Sequence, residues 1–120
     1  MFEVSVSTTF DAQHAVTISG IDETPHTHNW HVVAVVSGEQ LDEDGLLIDF
    51  LQLQSDLEVA ISTIRDTNLN TNPALQSNNP STEFIAMYIA TELAKRVKSP
   101  ARVTSITLTE APNCIATYRP

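Results

Sequence analysis

The segment that decides the fold lies at residues 25–36 and reads Pro25-His26-Thr27-His28-Asn29-Trp30-His31-Val32-Val33-Ala34-Val35-Val36. We predict a strand here, from about His28 to Ser37. Successive side chains of a strand point to opposite faces, so His26 and His28 share one face and His31 points away from it. The segment therefore offers a pair of imidazoles to one side of a sheet.

A third histidine, His14, lies at the end of an earlier predicted strand, Phe2 to His14, in which apolar and polar residues alternate. Two neighbouring strands would then present three imidazoles on one face. Neutral imidazole suits zinc, and three protein ligands with one open position are the pattern of a catalytic zinc site. Spacing alone leaves a second interpretation open, in which these histidines are structural residues held by hydrogen bonds. We interpret His31 as structural.

The remaining residues predict two helices and two further strands. In chain order, the predictions are an irregular segment at 17–25, a helix from about 46 to 65, a loop at 67–79, a helix from about 80 to 97 and strands at 103–110 and 113–118. Each helix has an apolar stripe, and Ser81 is a predicted N-cap. The order ββααββ predicts an α+β fold, a four-stranded antiparallel sheet with two helices on one face.

Composition points to one compact domain over residues 1–120, with 42% hydrophobic residues and no low-complexity tract. A net charge of -9 argues against a nucleic-acid surface, because phosphate binding needs clustered cations. The basic cluster Lys95, Arg96, Lys98 and Arg102 is interpreted as complementing a helix C-terminus. Cys114 is the single cysteine, and neither a membrane-spanning run nor a signal peptide is recognised. We expect a soluble cytoplasmic protein without a membrane partner.

A four-stranded sheet of this kind has two edge strands. Their unpaired amides and carbonyls favour pairing with another chain. We therefore expect a homo-oligomer.

Six short motifs together resemble the 6-pyruvoyl-tetrahydropterin synthase family, which includes the 6-carboxy-tetrahydropterin synthases. The resemblance covers nearly the whole chain and becomes specific because all six motifs occur in the family's order. They are Phe10-x-Ala12-x-His14, His26-Thr27-His28-Asn29-Trp30, Gly45-Leu46-Leu47-Ile48-Asp49-Phe50, Leu69-Asn70, Asn79-Pro80-Ser81-x-Glu83 and Thr109-Glu110.

The resemblance implies a tunnel-fold (T-fold) subunit that assembles into a hexamer, with active sites at subunit contacts. It implies that His14, His26 and His28 bind zinc, and that Glu110 anchors a pterin ring. A carboxylate suits that role because it accepts two parallel hydrogen bonds from ring N–H groups. The implied activity is that of a lyase acting on a dihydroneopterin (triphosphate) type of pterin.

Two departures from the family pattern concern catalysis. Where the family has a cysteine, four residues before the first histidine of its H-x-H motif, this chain has Asp22, followed by Glu23. Either carboxylate is a candidate general base, with Asp22 slightly favoured by spacing. The family's Asp-His pair is also unmatched. Asp66 is either a proton relay or a residue that bonds the end of a helix.

These departures leave two functions open. The first is a zinc-dependent lyase in which an acidic residue replaces the cysteine, and a retro-aldol cleavage of a dihydroneopterin-like substrate is among its possible reactions. The second is a catalytically altered tunnel-fold protein that binds zinc and a pterin or purine-like ring without the family reaction.

Overall fold

A computed structural model describes all residues of the chain, Met1–Pro120. It contains six strands and two α-helices. Their bounds are β1 Phe2–His14, β2 Thr17–Ile18, β3 Ile21–Asp22, β4 His26–Gly38, α1 Phe50–Ile61, α2 Thr82–Ala94, β5 Arg102–Ala111 and β6 Cys114–Tyr118. Strands β1, β4, β5 and β6 form one antiparallel sheet in the order β1-β4-β5-β6. The predicted α+β architecture is confirmed.

The core lies between the sheet and the two helices. The stripe predicted for α1 is buried along its whole length, and α2 buries Ile85, Ile89 and Leu93. Trp30 of β4 is fully buried, and its indole N–H donates to the Ala12 carbonyl at 3.1 Å. This bond satisfies the one polar group of the largest core side chain.

Both helices begin where a side chain can cap them. The Asp49 carboxylate accepts from the Leu51 amide at 2.8 Å, and the Ser81 hydroxyl accepts from the Phe84 amide at 3.1 Å. The predicted Ser81 cap is confirmed. Pro80 directly precedes the N-cap residue Ser81, so the capped turn fixes the position of the Pro80 carbonyl. This carbonyl contacts the site described below.

The predicted helix ends were wrong by about one turn. Helix α1 stops at Ile61 and continues to Arg65 as turns, while α2 stops at Ala94, so that Val97 packs against the core from outside the helix. Lys95 is the C-cap of α2, but Arg102 opens β5 and does not complement the helix end.

The segment predicted to be irregular contains a small hairpin, β2 and β3. Ser19 and Gly20 form its two-residue turn with φ values of 53° and 78°. Left-handed φ values at both central positions are characteristic of the tight turns that join two antiparallel strands.

One edge of the main sheet is partly covered. The loop after α1 runs along the outer edge of β1, where the Asp66 amide donates to Asp11, the Gln13 amide to Thr67 and the Leu69 amide to Gln13, at 2.7–3.0 Å. The expectation of two free edges therefore needs correction for the end of β1 near His14. No helix is long and apolar enough to cross a bilayer.

The contribution of the helical stripe can be tested on α1 itself. Leu53 is fully buried and Leu51 is 80% exposed. We expect Leu53→Ala to lower the free energy of unfolding by about 2–5 kcal/mol through loss of packing and creation of a cavity. Leu51→Ala, the matched control, should change it by no more than about 0.5 kcal/mol. Urea unfolding measures the free energy of unfolding of both variants. An equal decrease in the two would contradict the assigned helix orientation.

Candidate metal centre

Three imidazoles meet at one end of the sheet. His14 lies directly opposite His26 in the β1–β4 ladder, and His28 follows two residues later on the same face. The centroids of the three rings are 4.5–5.3 Å apart. The antiparallel register therefore brings together the three histidines that the sequence placed on one face.

Two of the histidines are oriented through their Nδ1 atoms. Nδ1 of His14 lies 2.8 Å from the carbonyl oxygen of Pro80, and Nδ1 of His26 lies 2.7 Å from that of Thr24. A carbonyl only accepts hydrogen bonds, so Nδ1 must be the protonated nitrogen in both rings. Their Nε2 atoms then carry the lone pairs. Histidines that bind metals commonly have this arrangement, with the far nitrogen donating to a carbonyl or carboxylate.

The Nε2 atoms of His14 and His28 are buried and form no hydrogen bond. Burial lowers the pKa of His28, an effect that His26 and His14 reinforce and that the Glu110 and Glu23 carboxylates oppose. A lowered pKa favours the neutral imidazole, which is the form that binds metals. Unpartnered buried nitrogens are costly unless a cation satisfies them, so the donor set fits a zinc ion. A purely hydrogen-bonded structural role would leave both atoms unsatisfied.

Glu110 contributes a fourth possible donor. Its Oε1 lies 3.0 Å from Nε2 of His14 and 3.9 Å from Nε2 of His28, and one donor atom from each of the four residues lies within 4.8 Å of the others. The hydroxyl of Thr82 donates to the same oxygen at 3.2 Å.

Strand alternation explains where the Glu110 side chain is aimed. Thr109 pairs with Ile115 and Ala111 with Cys114, so that Glu110 is an extra residue on β5. This bulge lies on the β6 side, whereas on the β4 side Val32 pairs with Leu108 and His31 with Thr109. Regular alternation therefore puts Glu110 on the same face as Leu108 and the histidines. The sequence predicted that Glu110 anchors a ring in the same site as the histidines. It did not predict that the carboxylate approaches Nε2 of His14 to 3.0 Å, because that distance depends on long-range strand pairing.

The two candidate bases, Asp22 and Glu23, lie in and just after the small hairpin. The Asp22 carboxylate accepts from the Thr17 hydroxyl at 2.6 Å across the hairpin. The Glu23 carboxylate accepts from the Val16 amide at 2.8 Å, and the Glu23 amide donates back to the Val16 carbonyl. Glu23 is the one of the two whose charge raises the pKa of His28.

Two asparagine side chains fix the segment that carries this hairpin. Asn70 accepts from the amide of Ala15 and donates to its carbonyl, both at 2.7 Å, and Asn79 makes the same pair of bonds with Thr17 at 2.9–3.0 Å. Each amide replaces a missing strand partner. Two residues of the segment that connects α1 to α2 thus hold the chain between His14 and the candidate bases.

Asp66 lies on the other side of the sheet end. It borders a surface depression shared with Asp11 and Thr27, which alternate with the histidines and so belong to the opposite face. Its backbone is left-handed, with φ of 60°. Within one chain the structure does not bring Asp66 to the three histidines.

Comparison with known proteins decides the family. The model of the family described as 6-pyruvoyl tetrahydropterin synthase matches residues 3–120. The chain belongs to this family. The tetrahydropterin synthase motifs found in the sequence now have visible roles, since Asn70 and Asn79 of two of them are the residues that hold the hairpin.

The relatives include an enzyme named as an aldolase. Dihydroneopterin monophosphate aldolase of Pyrococcus furiosus is 32% identical over 101 residues, which are 84% of this chain and 82% of that protein. Among solved structures, the 6-pyruvoyl tetrahydropterin synthase of Caenorhabditis elegans superposes with a TM-score of 0.86 at 19% identity, covering 99% of this chain and 95% of the other.

A second solved structure is a Plasmodium vivax 6-pyruvoyltetrahydropterin synthase in which a glutamate, described as a catalytic residue, is replaced by alanine. Its TM-score is 0.78 at 20% identity, and the superposition covers 99% of this chain and 97% of the other. These likenesses confirm the fold expected from the tetrahydropterin synthase resemblance.

The metal centre can be tested with a pair of histidine variants. We expect His28→Ala to lose most of the bound zinc after dialysis, because it removes one of the converging nitrogens. His31→Ala is the matched control, since His31 is exposed and opposes Thr9 on one side and Thr109 on the other. Metal content by atomic emission measures both. Equal zinc content in the His28→Ala and His31→Ala variants would contradict the proposed site.

Proposed function

We propose that this protein is a zinc-dependent lyase that cleaves the side chain of a dihydroneopterin-type pterin, with a carboxylate in the place of the family's cysteine. The observation that carries the proposal is the convergence of buried, unpartnered Nε2 atoms of His14 and His28 beside the Glu110 carboxylate. The relation to the Pyrococcus furiosus aldolase supports a carbon–carbon cleavage over loss of a triphosphate.

His14, His26 and His28 would hold the ion through Nε2, with the first two oriented by the Pro80 and Thr24 carbonyls. When bound, a divalent cation supplies Lewis acidity that makes a side-chain hydroxyl of the substrate easier to deprotonate. The chain's own residues would position the ring and move the protons.

Glu23 is the better placed of the two candidate bases. Both carboxylates accept one local hydrogen bond, Glu23 from Val16 and Asp22 from Thr17, but only the charge of Glu23 acts on the pKa of His28. In a retro-aldol cleavage the base removes the proton of the second side-chain hydroxyl, which becomes an aldehyde as the bond between the first and second side-chain carbons breaks. The electron pair passes into the ring C=N, and the first carbon is then protonated. A glutamate that the comparison with Plasmodium vivax names as catalytic supports a carboxylate in this role.

The ring would bind in a neighbouring cavity of about 460 Å³ between the start of α2 and β6. Thr82 lines this cavity and bonds Glu110, so the anchor proposed for the ring stands at its border. A volume of this size accommodates a bicyclic ligand.

Charge favours a substrate with few phosphates. Arg65 is paired with Glu58, and Lys95 with Glu92. The other cationic residues, Arg96, Lys98, Arg102 and Arg119, lie beyond α2, at the far end of β5 or after β6. No cation of the subunit adjoins the three histidines, and a triphosphate would need several.

Oligomerisation is part of the proposal. Strand β6 presents an unpaired edge to solvent, and the homo-oligomer we expect, a hexamer, would pair such edges and complete the ring cavity. Within it, a neighbouring subunit could supply Asp66 as the proton relay that a single chain does not bring to the site.

The reaction can be tested directly. Zinc-loaded protein is incubated with 7,8-dihydroneopterin, its monophosphate and its triphosphate, and the products are identified by mass. We expect a hydroxymethyl-dihydropterin product, with the triphosphate the poorest of the three substrates. Tight binding of all three without any product would instead identify the protein as a non-catalytic binder.

The base can be assigned with isosteric variants. We expect Glu23→Gln to lower kcat by roughly 10²–10⁴-fold, because the amide cannot accept the proton. Asp22→Asn should lower it less, and Glu43→Gln, in the exposed loop before α1, should not change it. Zinc content is measured in every variant. A larger loss in Asp22→Asn than in Glu23→Gln would transfer the role to Asp22.

A further inference from the structure

The carboxylate of Glu110 and the imidazole of His14 face each other in a way that a hydrogen bond does not explain. Their nearest atoms are 3.0 Å apart, yet Nε2 of His14 forms no hydrogen bond, since its angles do not fit one. The ring proton is on Nδ1, which bonds Pro80. A nitrogen lone pair and a carboxylate oxygen therefore approach each other, and two acceptors at this distance repel unless a cation lies between them.

The distances fit a shared ion. Two donors about 2.0 Å from one ion at tetrahedral angles are about 3.3 Å apart. Oε1 of Glu110 lies 3.0 Å from one Nε2 and 3.9 Å from the other, values on either side of that separation. One carboxylate oxygen thus lies near two Nε2 atoms, neither of which has a hydrogen-bond partner. This is the arrangement expected of donor atoms that bind the same ion.

The orientation of Glu110 is built into the fold. The register of β5 on β4 places Glu110 on the histidine face, and the Thr82 hydroxyl at the start of α2 donates to the same Oε1. Ligating carboxylates are commonly held by a hydrogen bond of this kind. The side chain is only one-quarter exposed.

We propose that Glu110 is a fourth protein ligand of the metal in the resting enzyme and gives up the ion when a pterin ring binds. This inference rests on the metal centre of the proposed function. A closed set of four protein ligands is the pattern of an inert site, so one ligand must leave before catalysis. Anchoring a ring through two parallel hydrogen bonds uses both carboxylate oxygens. Oε1 has two lone pairs and the Thr82 hydroxyl uses one, so the other serves either the ring or the ion. Ring binding and opening of the metal site are thereby a single event.

Ligation is tested with Co²⁺ in place of zinc, through visible absorption and competition with a chromophoric chelator. We expect Glu110→Gln to weaken Co²⁺ binding by roughly tenfold or more and to change the cobalt spectrum. Glu110→Asp should also weaken it, because the charge remains but the shorter side chain does not reach. Glu92→Gln is the matched control: its carboxylate is similarly buried but pairs with Lys95 at the far end of α2.

Several results would overturn the ligation. One is a Glu110→Gln variant with the affinity and spectrum of Glu92→Gln. Another is a Glu110→Asp variant with wild-type affinity, which would show that charge alone matters. Circular dichroism establishes that each variant is folded. These readouts need no turnover, so a protein that binds cobalt through Glu110 but converts no dihydroneopterin would refute the proposed function and leave the ligation intact.

The exchange is tested with unsubstituted pterin, which has the ring but no side-chain hydroxyls that could reach the ion. We expect saturating pterin to shift the wild-type cobalt spectrum towards that of Glu110→Gln. Pterin that binds, as measured by its own fluorescence, and leaves the spectrum unchanged would overturn the exchange.

Discussion

The structure depends on the register between β1 and β4. Thirteen consecutive residue pairs, from Phe2 with Gly38 to His14 with His26, fix this ladder. A slip of one residue would turn the core side chains of one strand to solvent and move its histidines to the opposite face. The hydrophobic pattern that stabilises the sheet is therefore the same pattern that brings the three histidines together. At this end of the molecule, the β1–β4 register determines both the packing of the core and the positions of the three histidines.

The centre is tied to its surroundings by backbone carbonyls. His14 is held by Pro80 at the capped start of α2, and His26 by Thr24 next to the hairpin that carries the candidate bases. Each ring is thus oriented by a different element. Asn70 and Asn79 join the connection between α1 and α2 to the chain after His14, at Ala15 and Thr17. Imidazoles that are held in place before an ion arrives lose less conformational freedom on binding it.

Much of this arrangement was predictable from local pattern. The period of two along β1 and β4 predicted the face shared by His14, His26 and His28, and the four-residue period predicted the buried stripes of both helices. The predictions failed for elements of very few residues and for contacts between residues distant in the sequence. The strands β2 and β3 have only two residues each, too few for a pattern. The loop at Asp66 covers β1 through long-range backbone bonds that have no local sequence signal. Alternation with Leu108 indicates the face of Glu110, but its closeness to the histidines depends on the long-range pairing of β5 with β4.

Helix ends were misjudged for a related reason. Apolar residues continue the spacing of α1 to Ile64, but that residue enters the core from a turn. The Ser62 and Ile64 amides bond three residues back, to Val59 and Ile61, and the Asp66 amide then bonds to Asp11 of β1. Ile64 is buried although the helix ends at Ile61. Periodicity reports which side chains face the core and does not report the backbone that brings them there.

Trp30 is the chain's single tryptophan, and its ring packs edge-on against both His14 and His28, with centroids 4.9 and 5.5 Å away. The indole is completely shielded from solvent. The fold has thereby placed one intrinsic fluorophore against the imidazoles. Its emission will respond to a quenching ion such as Cu²⁺ or Co²⁺ at those rings, so occupancy can be followed optically without any attached label.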